Sequence, residues 1–260
     1  MVRKFNKWLL VLSVALFSYI GFLLVTFPAV TAWHLVKSSQ LPIQFSGISG
    51  SIWSGSAETM SVSSGKGIVT FPDVRWQLNP QALLKGELYI NLQIGSATLP
   101  LEASGNIVAT QNSLELNTTV VTTSAQWIIN RMGNQIPGQV TGNVTIQLNK
   151  LVLTKQGCTE FSGNGVFKES QFIGVLGRFD LGNSTAEFSC KNHEIVANIQ
   201  QRSAMLKSEG NFKMNIQRNY TFVGNVLPDA SLPKSTKRLF QLLGQPDDNG
   251  YIPVRFYGRL

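Results

Sequence analysis

Hydrophobic and polar residues alternate with a period of two along most of the chain between Phe45 and about Tyr220. The clearest runs are 87–94, 114–117, 143–148 and 210–217, which are rich in Thr, Val, Ile and Asn and are bounded by Gly or Asn. A period of two sends alternate side chains to opposite faces, so these runs predict strands with one buried and one wet face. The brief polar turns between them predict antiparallel meanders.

The number of such runs predicts an all-β fold of roughly 12–14 strands. We expect a large curved antiparallel sheet, a sandwich or a partly open barrel, with a few short helices. One helix is predicted at 79–86, where Asn79 is the N-cap, Pro80 takes the first helical position and Gly86 follows the end. Two more are predicted at 124–132 and 233–243. A cluster of Gly, Asn and Pro at 133–138 indicates a boundary between two structural halves of one domain.

Residues 8–27 form a stretch of twenty residues without a charge, and about 20 apolar residues span a bilayer as a helix. Arg3, Lys4 and Lys7 precede the stretch without an acidic residue, so the positive-inside rule places the amino terminus in the cytoplasm. We predict a cytoplasmic tail (1–7), a transmembrane anchor (8–27), a juxtamembrane linker (28–44) and an exported β-rich domain (45–260). The alternative is a cleaved signal peptide with a small-residue site at 30–32.

Cys158 and Cys190 are the two cysteines of the chain, and both fall in the exported part. An oxidising compartment favours a disulfide between them, and two free buried thiols are the alternative. Two cysteines without a C-x-x-C spacing and with one neighbouring histidine, His193, do not indicate a zinc site.

The remaining residues indicate no enzymatic chemistry. His193 has no nucleophile elbow to work with, Asp247 and Asp248 lie in a predicted turn, and residues 63–67 lack the glycine spacing of a phosphate-binding loop. The chain has 22 basic and 14 acidic residues, but the bases are scattered, which does not favour a nucleic-acid partner. We therefore predict no catalytic, cofactor or metal site.

The aromatic residues of the amino-terminal half give two interpretations. Trp53, Trp76, Trp127 and Phe71 fall within or beside apolar positions, where large aromatic side chains usually form core. A curved sheet lined by such residues could instead hold an acyl chain or a partner's strand. The three tryptophans are therefore candidates for either a structural or a groove-lining role.

Several short motifs follow one another in order along the chain. A basic tail and one apolar span precede glycine–tryptophan, Trp-x-Leu-x-Pro and Leu-Leu-x-Gly phrases, and the chain ends in a Gly-x-Pro-Asp phrase and a terminal Gly-x-Leu. The residues that carry these phrases are Gly47, Gly50, Trp53, Gly55, Val74, Trp76, Leu78, Pro80, Leu83, Leu84, Gly86, Leu88, Leu243, Gly244, Pro246, Asp247, Gly250, Tyr251, Gly258 and Leu260. In their order and spacing these motifs resemble the N component of bacterial type II secretion systems, and the resemblance covers nearly the whole chain.

The resemblance implies a single-pass inner-membrane protein with a periplasmic β domain. Such a protein would be an accessory, non-enzymatic scaffold in the export of folded proteins across the outer membrane. Its partners would be inner-membrane and periplasmic components of the same system. The alternative function is a membrane-anchored periplasmic lipid-binding or lipid-transfer protein with a curved β groove.

Overall fold

The computed structural model describes residues 2–36, 42–64, 67–96, 98–131, 138–174, 177–229, 232 and 244–259, without the side chains of 2–7, 9, 10, 24, 64 and 131. The four helices described are α1 (Val2–Thr26), α2 (Ala29–Val36), α3 (Pro80–Leu83) and α4 (Ala125–Arg131). The strands described are β1 (Ile43–Ser46), β2 (Ser49–Gly50), β3 (Ser54–Ser64), β4 (Gly67–Leu78), β5 (Leu88–Gly95), β6 (Leu101–Ala109), β7 (Ser113–Ser124), β8 (Gly138–Thr154), β9 (Gly157–Gly174), β10 (Gly177–Lys191), β11 (Glu194–Arg202), β12 (Leu206–Met214), β13 (Asn219–Pro228) and β14 (Ile252–Arg259).

The strands form one open antiparallel sheet of fourteen strands. From β3 to β14 each strand pairs with the next one in sequence, β1 lies beside β3, and β2 pairs with β3 outside this path. The prediction of an all-β antiparallel fold is confirmed. Of the three predicted architectures the single sheet is the one formed: the described strands make one open layer that ends at β1 and at β14, and they form neither a sandwich nor a barrel.

One face of the sheet is apolar across twelve strands. Residues that pair directly on neighbouring strands share a face, and one chain of such pairs carries only Ala, Val, Ile or Gly. Its members, from β3 to β14, are Ala57, Val74, Ile94, Ala103, Val121, Ile146, Gly165, Ala186, Ile199, Gly210, Gly224 and Val254. The period-two pattern of the sequence therefore becomes a continuous apolar surface.

The opposite face is polar and is held by side-chain hydrogen bonds. Asn91 Nδ2 donates to Asn106 Oδ1 at 3.0 Å, and Asn211 Nδ2 donates to Asn198 Oδ1 at 2.7 Å, each between neighbouring strands. Lys150 Nζ lies 2.7 Å from Glu160 Oε2. The hydrogen bond to this carboxylate, helped by its charge, raises the pKa of Lys150. This face is therefore suited to contact with water.

α4 connects the apolar sides of β4 and β7. The Phe71 ring on β4 lies 6.3 Å from the Trp127 ring on α4, although α4 follows β7, three strands away, and neighbouring strands are about 4.8 Å apart. The chain exposes 17583 Å², against about 11,300 Å² for a compact monomer of its mass. Most residues of the apolar row are only partly buried.

Phenylalanine rings cover the glycines of the apolar row. A Cβ at Gly165 would stand 3.3 Å from the Phe188 ring, and the Phe222 ring lies over both Gly210 and Gly224. Further along the same face, Phe222 stacks on Phe256 with ring centroids 6.1 Å apart. These rings shield the backbone where the row has no side chain of its own.

The predicted helices agree with the structure where it describes them. Asn79 Oδ1 accepts a hydrogen bond from Gln81 N at 2.9 Å and caps α3, with Pro80 in the first turn. The predicted helix at 124–132 is α4, whereas 233–243 and most of the predicted boundary at 133–138 lie outside the described residues. Within the described part of the chain, no helix is both long and apolar enough to cross a membrane.

The structure links Cys158 at the start of β9 to Cys190 at the end of β10 by a disulfide, with Cα atoms 5.9 Å apart. Cys158 is 2% exposed. Its backbone N–H donates to the carbonyl of His193 at 3.1 Å, in the turn that joins β10 to β11. The disulfide and the hydrogen bond together hold β9, β10 and β11 to one another beside the β10–β11 turn.

Replacing both cysteines with serine is expected to lower the free energy of unfolding by about 3–4 kcal/mol, because the 32-residue loop between them then regains its freedom in the unfolded chain. Urea denaturation followed by circular dichroism measures the change. A reductant should lower the free energy of unfolding of the wild-type protein by the same amount, and it should not change that of the double variant. Equal midpoints for oxidised wild type and the double variant would contradict the prediction.

Candidate functional site

An apolar groove of about 500 Å³ lies between α2 and the amino-terminal strands of the sheet. We call it the α2 groove. Fourteen side chains line it, all of them apolar, from α2, β1, β3, β4, β5 and the segment between β1 and β3: Ala29, Ala32, Trp33, Val36, Phe45, Ile48, Ile52, Met60, Val74, Trp76, Leu78, Leu88, Ile90 and Leu92. Binding sites for small molecules are commonly concave, apolar and of this size.

Three aromatic rings connect the helix to the sheet across this groove. Trp33 of α2 meets Phe45 of β1 edge to face, with ring centroids 4.9 Å apart. Phe45 in turn lies 6.4 Å from Trp76 of β4. Contacts of this kind add to the burial of apolar area, so the row of rings holds α2 beside the sheet.

The hairpin formed by β2 and β3, which pair through Gly50 and Gly55, positions Trp76. Gly55 pairs directly with Trp76 across β3 and β4, and a Cβ at Gly55 would stand 2.5 Å from the indole ring. The ring therefore needs a glycine at this position. Trp76 Nε1 donates to the carbonyl of Ile52 at 3.2 Å, which leaves the apolar part of the indole to face the groove.

The same hairpin holds the junction between α1 and α2. Ile52 N donates to the carbonyl of Phe27 at 3.1 Å, and Pro28 and Ser51 form an isolated β-bridge. Every described side chain of α1 is exposed, including Phe17 at 75% and Val25 at 70%. An exposed apolar helix is thus joined to the sheet by backbone hydrogen bonds beside the groove.

Each end of the sheet presents an edge strand. β14 pairs with β13 and, among the described strands, with no other. Phe256 and Tyr257 of β14 are 53% and 82% exposed, on opposite faces of the strand. Unpaired backbone groups on an edge strand can accept another strand.

The structure separates the residues predicted as candidate aromatics. Trp76 lines the α2 groove, Trp127 packs against Phe71, and Trp53 is partly buried in the segment before β3. None of the three is fully buried. Arg3, Lys4 and Lys7 lie at the start of α1 and the structure does not describe their side chains.

The sequence analysis did not predict the wall made by α2, which falls in the segment assigned as a linker. The spacing of Ala29, Ala32, Trp33 and Val36 is i, i+3, i+4 and i+7, which is typical of one apolar face of a helix. This short pattern directly follows the apolar stretch of α1, which conceals it. It was the available indication of a groove wall.

The polar residues considered for chemistry have structural roles. Asp247 Oδ1 accepts hydrogen bonds from the backbone of Asn249 and Tyr251, at 3.0 and 2.8 Å, within a turn. His193 has a left-handed backbone, φ 64°, in the β10–β11 turn. In the part of the chain that the structure describes, no three His, Cys, Asp or Glu side chains come close enough to hold a metal ion.

Comparison with known proteins matches the chain to one family over most of its length. The family described as "Type II secretion system (T2SS), protein N" matches residues 42–255. The type II secretion system protein N of Aeromonas hydrophila is 28% identical over 258 residues, which is 96% of this chain and 98% of that protein. The protein of the same name from Vibrio cholerae serotype O1 is 23% identical over 230 residues, 86% of this chain and 90% of that one. That from Pectobacterium carotovorum is 22% identical over 211 residues, 81% of this chain and 82% of that one. No solved structure matches the chain significantly.

The family match spans the described sheet from β1 to the middle of β14, and the Aeromonas hydrophila protein is matched over nearly its full length. The resemblance carried by the glycine, tryptophan and proline phrases is thereby confirmed. The chain belongs to the type II secretion system protein N family.

Proposed function

We propose that this protein is an accessory inner-membrane component of a type II secretion system whose periplasmic sheet is a non-enzymatic scaffold in the export of folded proteins. The observation that carries this proposal is an open fourteen-stranded sheet joined by backbone hydrogen bonds to an exposed apolar helix. Such a unit has an attachment at one end and, at β14, an edge that can accept a partner's strand.

The proposed anchor is α1. Residues 8–27 carry no charge, whereas Arg3, Lys4 and Lys7 precede them. This asymmetry supports a cytoplasmic amino terminus and a periplasmic sheet. The disulfide between Cys158 and Cys190 fits an oxidising periplasm.

The proposed partners are inner-membrane and periplasmic components of the same secretion system. Tyr257 supplies a large aromatic side chain that is 82% exposed on β14, whose outer edge pairs with none of the described strands. Tyrosine is frequent among the few residues that dominate the binding energy of an interface. We assign the β14 edge as the surface on which such a partner docks.

Replacing residues 1–26 with a cleavable signal sequence is expected to leave a folded periplasmic sheet that no longer supports secretion. The sheet keeps Phe27 and Pro28, whose backbones contact the hairpin, so its fold does not depend on the part removed. Circular dichroism checks the fold and the amount of secreted cargo checks the function. Wild-type secretion by the soluble form would exclude an anchor-dependent scaffold.

Changing Tyr257 to alanine should reduce the recovery of secretion components in a mild-detergent pull-down of the full-length protein. A loss of about 2 kcal/mol, typical of an interface hot spot, corresponds to a roughly 30-fold weaker complex. Ile68→Ala is the matched control, because Ile68 is 70% exposed on β4, ten strands away from β14 in the order of the sheet. Equal recovery with both variants would contradict docking at β14.

A second candidate function is lipid binding along the apolar face. The row of Ala, Val, Ile and Gly pairs from β3 to β14 favours it, since most of these residues are only partly buried and no second layer of described strands covers them. Exposed apolar surfaces of this extent mark binding sites. In this alternative the sheet carries lipid rather than a protein partner.

Lipid analysis of the purified full-length protein tests this candidate. If the apolar face binds lipid, Val121→Gln should lower the amount of co-purified phospholipid or lipopolysaccharide, because an unpaired amide would oppose acyl chains. Val120→Gln is the matched control, because Val120 precedes Val121 and pairs with Ser104 on the polar face. Protein that carries no lipid in any form would exclude this candidate and leave the scaffold.

A further inference from the structure

We propose that the α2 groove binds a single acyl chain of a membrane phospholipid, taken from the leaflet that surrounds the end of α1. The inference rests on the second candidate function, because it names the place at which a lipid first contacts the sheet. It concerns one site beside the anchor, whereas lipid carriage concerns the whole apolar face.

The groove fits the occupant in size and polarity. A methylene group takes up about as much space as a water molecule, ~30 Å³, so 500 Å³ accommodates an acyl chain of about 16 carbons. All fourteen lining side chains are apolar. The indole N–H of Trp76 is already bonded to the carbonyl of Ile52, so this donor does not require a polar ligand.

The position of the groove identifies the membrane as the source of the acyl chain. α1 ends at Thr26 and the first lining residue is Ala29, so their Cα atoms are at most about 11 Å apart. The exposed apolar side chains of α1 need an apolar environment up to this point. Once α1 is in the membrane, acyl chains are the nearest apolar molecules to the groove.

The connection to the sheet keeps the groove at this place. The hydrogen bond from Ile52 N to the Phe27 carbonyl and the bridge between Pro28 and Ser51 fix the α1–α2 junction against the hairpin. The rings of Trp33 and Phe45 fix α2 from the other side. An acyl chain that leaves the bilayer therefore meets a preformed apolar surface. The strands beyond the groove continue this surface along the apolar face.

The test uses the full-length protein reconstituted in phosphatidylethanolamine and phosphatidylglycerol vesicles with a phosphatidylglycerol that carries a photoreactive diazirine on its acyl chain. After illumination, peptide mass spectrometry maps the cross-links. Wild-type protein is expected to be labelled on Trp33, Phe45 or Ile90, in addition to α1. Ile90→Gln should reduce groove labelling at least tenfold, because its amide would face the acyl chain without a partner.

Ile199→Gln is the matched control, because Ile199 is also a partly buried isoleucine of the apolar face but lies on β11. It should leave groove labelling unchanged, and circular dichroism checks that both variants fold. If Ile90→Gln does not fold, the wild-type map decides alone. Labelling of β8–β14 without the groove would overturn the groove site but keep lipid carriage. Labelling confined to α1 would mean that no lipid contacts the sheet, and it would overturn both the groove site and lipid carriage.

Discussion

The apolar side chains of this sheet have to be shielded from water without a second layer, and the rest of the structure depends on that constraint. The strand register sends them to one face from β3 to β14. Three features shield them: the contact of Phe71 with Trp127 of α4, the phenylalanine rings over the glycines, and α2 over the first strands. Shielding is incomplete, since the face remains accessible along its length. Two of the proposals, lipid carriage and the acyl-chain site, are consequences of this residual apolar surface.

The hairpin formed by β2 and β3 contacts both the α2 groove and the end of α1. Ile52 accepts the indole N–H of Trp76 at its carbonyl and donates its own N–H to Phe27. One residue thus links the ring that lines the α2 groove to the end of α1. Ile52 makes both contacts with its backbone, so their geometry depends on the backbone of the hairpin and its glycines rather than on the Ile52 side chain. The family resemblance includes the same glycine and tryptophan residues among its phrases, and this shared geometry explains why Gly55 and Trp76 occur together.

The sequence was sufficient to predict the strands, their antiparallel pairing and the N-cap of α3, because these follow from local alternation and from single residues such as Asn79. Alternation assigns side chains to two faces but does not say how many layers the strands form, so it is compatible with a sheet, a sandwich or a barrel. The order in which the strands pair decides among the three. The α2 groove was not predicted because it requires Trp33 and Trp76, 43 residues apart in the sequence, to lie on either side of Phe45. That proximity is a tertiary contact without a local pattern.

The strand order also governs how this sheet can be built. From β3 onward each strand pairs with the strand synthesised just before it. Most of the new pairs close over a short loop, with the longest connection between β13 and β14, and local pairings of this kind form quickly. The growing edge is always the last completed strand, and a chain that emerges from its amino terminus can lengthen the sheet one strand at a time. A stalled or truncated chain would therefore end in an ordered sheet with a new edge, rather than in an unfolded domain.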